Sequence, residues 1–157
     1  MKIIFLDIDG VLNTPKSSSR CENHIGIDGD KILRLKKIVD ETNAKIVLIS
    51  TWKENWEGLK SRKIYQDCFA NYLDVKFQKY NLEVYDKTPN RYEGIFLGRG
   101  EGILAYLEDK KIESFVIIDD LQFDYDSCDL TDYFIQTNVN VGLTDENVQS
   151  AIAILKY

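Results

Sequence analysis

The sequence predicts an α/β fold: a central parallel sheet of about five strands, with helices on both faces. Three observations lead there. The apolar runs at residues 2–8, 45–50 and 114–119 are continuous rather than alternating, as expected of strands covered on both sides. Segments with helical spacing separate them, which calls for parallel strands joined by right-handed crossovers. Each run also ends in polar side chains: Asp7 and Asp9, then Ser50 and Thr51, then Asp119 and Asp120.

Residues 2–8 read as the first buried strand. Residues 14–29 form the longest loop, and Ser17-Ser18-Ser19 within it suggests mobility beside a site. Residues 28–42 read as a helix capped by Asp28 or Asp30, with Ile32, Leu35 and Val39 on one face. Residues 45–50 are the second buried strand, β-branched and without alternation. Helical spacing returns at Ile64, Cys68, Phe69, Tyr72 and Leu73. A short strand is expected at 82–85, then a helix at 100–110 with Ile103, Leu104 and Leu107 inward. Residues 114–119 are the third buried strand, and residues 133–137 an edge strand. Thr144 caps a last helix whose first turn holds Asp145 and Glu146, where the helix dipole favours anions.

Composition narrows the class. The 157 residues suffice for one domain with a real core, and 44% hydrophobic with 29% charged residues is ordinary for a globular chain. A net charge of −6 provides no general basic footprint for nucleic acid, although one face can still be basic. No apolar stretch approaches the roughly 20 residues of a membrane span, so no membrane partner is expected. Three cysteines, Cys21, Cys68 and Cys128, fit a reducing cytoplasm better than a disulfide framework. The single histidine, His24, excludes any site that needs two imidazoles, and Cys21 with His24 lacks the partners of a zinc site.

The first strand carries the strongest chemical signal. Side chains two apart on a strand share a face, so Asp7 and Asp9 can converge at its carboxyl end. In open α/β sheets that edge binds ligands. Two adjacent acids repel each other unless one holds a proton or a cation sits between them, and Mg²⁺ prefers such oxygens. In one parallel sheet the ends at Ser50 and at Asp119 and Asp120 share the same edge.

This combination resembles the haloacid dehalogenase (HAD) superfamily of phosphotransferases. Its first motif, Asp-x-Asp-Gly-Thr/Val after an apolar strand, is matched by Asp7-Ile8-Asp9-Gly10-Val11. Ser50 in Val47-Leu48-Ile49-Ser50-Thr51-Trp52 matches the second, and Ile117-Ile118-Asp119-Asp120 with Asp124 matches the fourth. The third, a Lys or Arg near the start of the preceding helix, falls on Arg99, with Lys87 as the alternative. Asp-Gly-Val-Leu-Asn, Ser-Thr-Trp-Lys and Arg-Gly-Glu-Gly-Ile-Leu look like the compact HAD domain of RNA-repair proteins. The resemblance implies a Rossmann-like HAD fold with little or no cap, residues 1–157 forming a single hydrolase domain.

It also implies roles. Asp7 would attack phosphorus to form an aspartyl-phosphate, and Asp9 would protonate the leaving oxygen and later deprotonate water. Mg²⁺ would be held by Asp7, the main-chain carbonyl of Asp9 and Asp120, with Asp119 and Asp124 orienting the ligands from behind. Ser50, with Thr51 able to take its place, and Arg99 would hold the other phosphate oxygens. The bland alternatives are a strand-ending hydroxyl that caps the next turn, a surface ion pair at Arg99, and acids that merely form turns.

Other features are weaker. Gly98-x-Gly100-x-Gly102 lacks the spacing of a dinucleotide fingerprint. Trp52, Trp56 and Tyr65 can stack a base or fill the core, with the core favoured. Lys60-Ser61-Arg62-Lys63 reads as a solvated helix start and the best candidate contact for a phosphodiester backbone. The leading expectation is a cytoplasmic Mg²⁺-dependent phosphatase acting on a phosphorylated substrate, polynucleotide ends included. The alternative is a module that binds Mg²⁺ or phosphate without turnover.

Overall fold

The computed structural model describes residues 1–58 and 67–157. In chain order the elements are β1 (Lys2–Leu6), a hairpin of β2 (Arg20–Cys21) and β3 (His24–Ile25), α1 (Gly29–Thr42), β4 (Lys45–Leu48), α2 (Cys68–Gln78) and β5 (Val84–Lys87). Next come a second hairpin of β6 (Arg91–Tyr92) and β7 (Ile95–Phe96), then α3 (Arg99–Leu107), β8 (Ser114–Asp119), β9 (Phe134–Gln136) and α4 (Asp145–Lys156).

Five strands form one sheet in the order β5-β4-β1-β8-β9, with every neighbouring pair parallel. This is the Rossmann-like α/β architecture that the sequence predicts. Alternation along β1 sends Ile4 and Leu6 to one layer and Ile3 and Phe5 to the other. The first layer is filled by Ile32, Leu35 and Ile38 of α1, Leu73 and Phe77 of α2, and Val148 and Leu155 of α4. The second holds Ile103 and Tyr106 of α3 with Tyr125 and Leu130. Because both faces are covered, the central strands need apolar residues at every position.

Some details differ from expectation. β5 begins later than residue 82, because Leu82 lies in the turn closing α2, where its N–H donates to the Phe77 carbonyl at 3.0 Å. On α3, Tyr106 rather than Leu104 joins Ile103 inside, and Leu104 is exposed. The segment expected as a loose loop holds the β2–β3 hairpin. Within it Ser17 is buried, its hydroxyl accepting from Thr14 N–H at 2.8 Å and donating to Asp28 at 2.5 Å. The Asp28 side chain therefore makes no capping bond to α1. Thr144 does cap α4, accepting from Asn147 N–H at 3.2 Å. Ile64, Tyr65 and the basic run Lys60-Ser61-Arg62-Lys63 lie outside the described residues. Among the described residues, no helix is long and apolar enough to cross a membrane.

Candidate active site

The sheet's hydrogen-bond ladder continues past the strands and lines up their polar ends. Asp7 N–H donates to the Ile118 carbonyl at 2.9 Å, Ile49 N–H to Leu6 at 3.0 Å, and Thr137 N–H to Asp119 at 2.9 Å. Asp7, Ser50 and Asp119 therefore sit on one edge, all buried, where the chain departs to either side of β1. Asp7, Asp119 and Asp120 each present a carboxylate oxygen, and these three atoms lie within 4.8 Å of one another.

Arg99 enters this cluster from the first residue of α3. Its Nη1 lies 2.7 Å from Asp119 Oδ2 and 3.1 Å from Asp7 Oδ1. The Asp119 oxygen also accepts from the Tyr125 hydroxyl at 2.6 Å, while Leu121 N–H donates to its other oxygen at 3.2 Å. The ring of Phe123, a residue with φ of +46°, lies 4.1 Å from the Arg99 guanidinium carbon. Asp124 stays out of the cluster. Its carboxylate accepts from Gly100 N–H at 2.7 Å and Glu101 N–H at 3.1 Å, fixing the first turn of α3 and with it the root of Arg99. Despite partial burial, those N–H groups hold the Asp124 carboxyl below its usual range.

The electrostatics match the crowding. Burial, and then the Asp119 charge, push the Asp7 carboxyl up to about 7, although Arg99 works against them. Burial and Asp119 likewise raise Asp120. Arg99 is half-buried, and although that desolvation works against its charge, Asp7 and Asp119 keep its guanidinium more firmly protonated than usual. Hard carboxylate oxygens gathered so closely could hold a divalent cation such as Mg²⁺, whose charge would relieve their repulsion. Gly10 makes the approach possible. It has φ of +76°, and a Cβ there would stand 2.6 Å from an Asp120 oxygen.

Asp9 is held apart. Its exposed side chain accepts from Asn13 Nδ2 at 2.8 Å and from Trp52 Nε1 at 3.0 Å, and does not join the three-carboxylate cluster. Asn13 also accepts from Gly10 N–H at 3.0 Å and donates to the Gly26 carbonyl at 2.8 Å, so the turn itself orients the acid. Trp52 is thus core packing with a polar task. Trp56 is buried as well, donating to Asp74 at 2.9 Å.

Ser50 accepts from Trp52 N–H at 3.2 Å, which caps the short 3₁₀ turn Thr51–Lys53 and leaves the hydroxyl proton available. Thr51 is exposed at the start of that turn. The third residue of the turn is one that sequence reasoning assigned no role. Lys53 is 6% exposed, and its ammonium meets the Thr88 hydroxyl at 2.7 Å rather than a carboxylate. Burial, then Arg99 and Lys87, bring it down to about 8. Lys87 donates to the Lys53 carbonyl at 3.0 Å, and burial lowers its ammonium also. Both third-motif candidates therefore flank Lys53, and only Arg99 touches Asp7. A buried lysine after a strand-ending Ser-Thr-Trp was the available signal, but a lone charge in a turn reads first as surface.

A comparison with curated proteins finds no match. The family described as the HAD domain in Swiss Army Knife RNA repair proteins matches residues 3–148, a span that includes all the strand ends described above. That span covers most of the sequence and agrees with the parallel sheet and the acidic edge, so the chain belongs to this HAD family.

Proposed function

We propose that the protein is a Mg²⁺-dependent phosphomonoesterase that works through an aspartyl-phosphate on Asp7, with nucleic-acid ends or nucleotides as its substrates. One observation carries the reading: two acids from a single turn stand in opposite surroundings. Asp7 is buried in a carboxylate cluster beside Arg99, and Asp9 is exposed and held by Asn13 and Trp52. A cation in the cluster, with Arg99, would favour the ionised, attacking form of Asp7, while Asp9 stands outside the cluster where it can meet a leaving oxygen.

Asp7 and Asp120, with the Asp9 main-chain carbonyl, are the groups that would hold Mg²⁺, which would supply charge neutralisation to the phosphate and keep Asp7 ionised. Arg99, Ser50 or Thr51, and Lys53 bind the phosphoryl oxygens that do not react. An Asp7 carboxylate oxygen attacks phosphorus, the bond from phosphorus to the alcohol oxygen breaks, and Asp9 gives its proton to that oxygen. Asp9, now a base, takes a proton from water. The hydroxide attacks phosphorus, the bond to Asp7 breaks, and phosphate leaves with the Asp7 carboxylate restored. Asp119 stays behind these steps, holding Arg99 by one oxygen. RNA-end substrates are supported by the family's own description as part of RNA repair proteins.

The test is Mg²⁺-dependent phosphate release from an aryl phosphate and from 5′- and 3′-phosphorylated oligonucleotides. Wild type releases phosphate, Asp7→Asn releases none, and Asp9→Asn is slower by about 10²–10⁴. Turnover that survives Asp7→Asn overturns the nucleophile assignment.

A further inference from the structure

Beside Asp9 lies a cavity of about 600 Å³, within the range of small-ligand sites. It opens between the β2–β3 hairpin and the start of α2, and its lining includes Asp9, His24, Trp52, Asn55 and Phe69. Of the groups proposed to hold the phosphate, Thr51 stands at its wall, whereas Arg99, Ser50 and Lys53 do not, so the cavity begins where the phosphate site ends. We propose that this cavity receives the leaving alcohol of the phosphomonoester and selects one that carries a heteroaromatic base, so that the substrate is a nucleoside phosphate or a polynucleotide end rather than a sugar or polyol phosphate. The proposal rests on the phosphatase reading for the direction in which the alcohol leaves.

The direction comes from the acid. A proton donor must reach the leaving oxygen, so the rest of the alcohol lies on the side of the site that Asp9 faces. That side is aromatic. The His24 and Phe69 rings stand 5.0 Å apart with planes at 56°, and the edge of Trp52 meets Phe69 at 5.1 Å and 75°. Trp52 is 7% exposed and tied to Asp9, so the accessible ring surface belongs to half-buried Phe69 and exposed His24. A planar π system stacks face to face on such rings over a wider area than the C–H face of a small sugar or an open polyol chain can cover. Among polar groups at the wall, which also include Glu54 and Asp67, Asn55 suits a base edge. Asn55 donates to Asp67 at 2.9 Å, leaving its amide oxygen to accept from a ring N–H or amino group.

The cavity is also preformed. Ile27 N–H donates to the Tyr72 hydroxyl at 3.0 Å, and Gly26 passes against that same oxygen with no room for a Cβ. Cys21 Sγ lies 3.9 Å from the Cys68 carbonyl, and Asn13 holds Gly26 from the other side. The hairpin is therefore fastened to α2 before any ligand arrives, which lowers the ordering cost of binding.

The deciding experiment compares kcat/KM for adenosine 5′-monophosphate and ribose 5-phosphate. The two carry the same charge and the same primary leaving oxygen, and differ in the base. Wild type favours the nucleotide by roughly 5- to 150-fold, the range expected of one stacked base. Phe69→Leu and His24→Ala each shrink that ratio, and the double variant brings it near one. A folding defect slows both substrates and leaves the ratio alone. A wild-type ratio near one, or a ratio untouched in the double variant, overturns the proposal. Adding 3′- and 5′-phosphorylated oligonucleotides shows whether the occupant is a free nucleotide or a chain end. If wild type releases phosphate from neither monoester, from no phosphorylated oligonucleotide and from no aryl phosphate, the phosphatase reading falls and binding alone decides the cavity. His24 is the single histidine of the chain, so its imidazole protons are a unique NMR signal. Adenosine, but not ribose, shifts that signal, and less so in Phe69→Leu; no shift at millimolar adenosine overturns the proposal.

Discussion

Asp7 is expected to destabilise the metal-free protein at neutral and alkaline pH, and Asp7→Asn to remove that burden. In an unfolded chain its carboxyl titrates near 3.8, and in the fold burial and Asp119 push it up to about 7. Below about pH 4 it is protonated in both states and contributes nothing to the pH dependence. Between these values the folded state holds the proton and the unfolded state has released it, so stability falls as pH rises. Above pH 7 it is ionised in both, and the whole difference opposes folding. At 1.36 kcal/mol for each tenfold change in proton affinity, the cost reaches at most about 4 kcal/mol. Urea unfolding of wild type and Asp7→Asn at pH 5 and pH 8, in chelator and again in Mg²⁺, measures it. The variant should be more stable at pH 8 in chelator, by up to about 4 kcal/mol, with a much smaller gap at pH 5. Mg²⁺ should stabilise wild type far more than the variant. An Asp7→Asn protein no more stable than wild type at pH 8 without metal refutes the electrostatic account of this cluster.

Two further changes probe the groups around the carboxylates. Tyr125→Phe removes the hydroxyl that donates to Asp119 at 2.6 Å and leaves a fully buried carboxylate one donor short. It should lower stability by about 1–3 kcal/mol and Mg²⁺ affinity by about 10–100-fold, read by urea unfolding and titration calorimetry. Gly10→Ala forces a side chain into left-handed backbone and towards Asp120, costing about 1–2 kcal/mol and weakening Mg²⁺ binding. Unchanged Mg²⁺ affinity in Gly10→Ala would show that Asp120 is free to step aside.

Legibility in the sequence tracked burial. Strands covered on both faces leave an unbroken apolar record, so β1, β4 and β8 were readable and their polar endings pointed to one edge. The hairpins were not, because two-residue strands such as Arg20–Cys21 and Arg91–Tyr92 have no room for a periodicity. β5 slipped because Leu82 is buried for the sake of the α2 turn rather than the sheet. Residue types at the site were visible, but their pairings were not. Nothing local reveals that Asp9 is held by Trp52, that Asp124 anchors the root of Arg99, or that Lys53 lies buried against Thr88. Those contacts join residues far apart in the chain, and only the closed sheet brings them together.

The Asn13 amide couples the proton-donor position to the wall of the neighbouring cavity. Its nitrogen serves two acceptors at once, Asp9 and the Gly26 carbonyl at the base of the hairpin. Each of its two hydrogens goes to one acceptor, so a single side chain ties the acid to the base of the hairpin. Because Trp52 holds the other Asp9 oxygen and Gly10 N–H holds the Asn13 oxygen, a shift of the hairpin costs the acid one of its two donors and reaches the proton-donor position through a single amide.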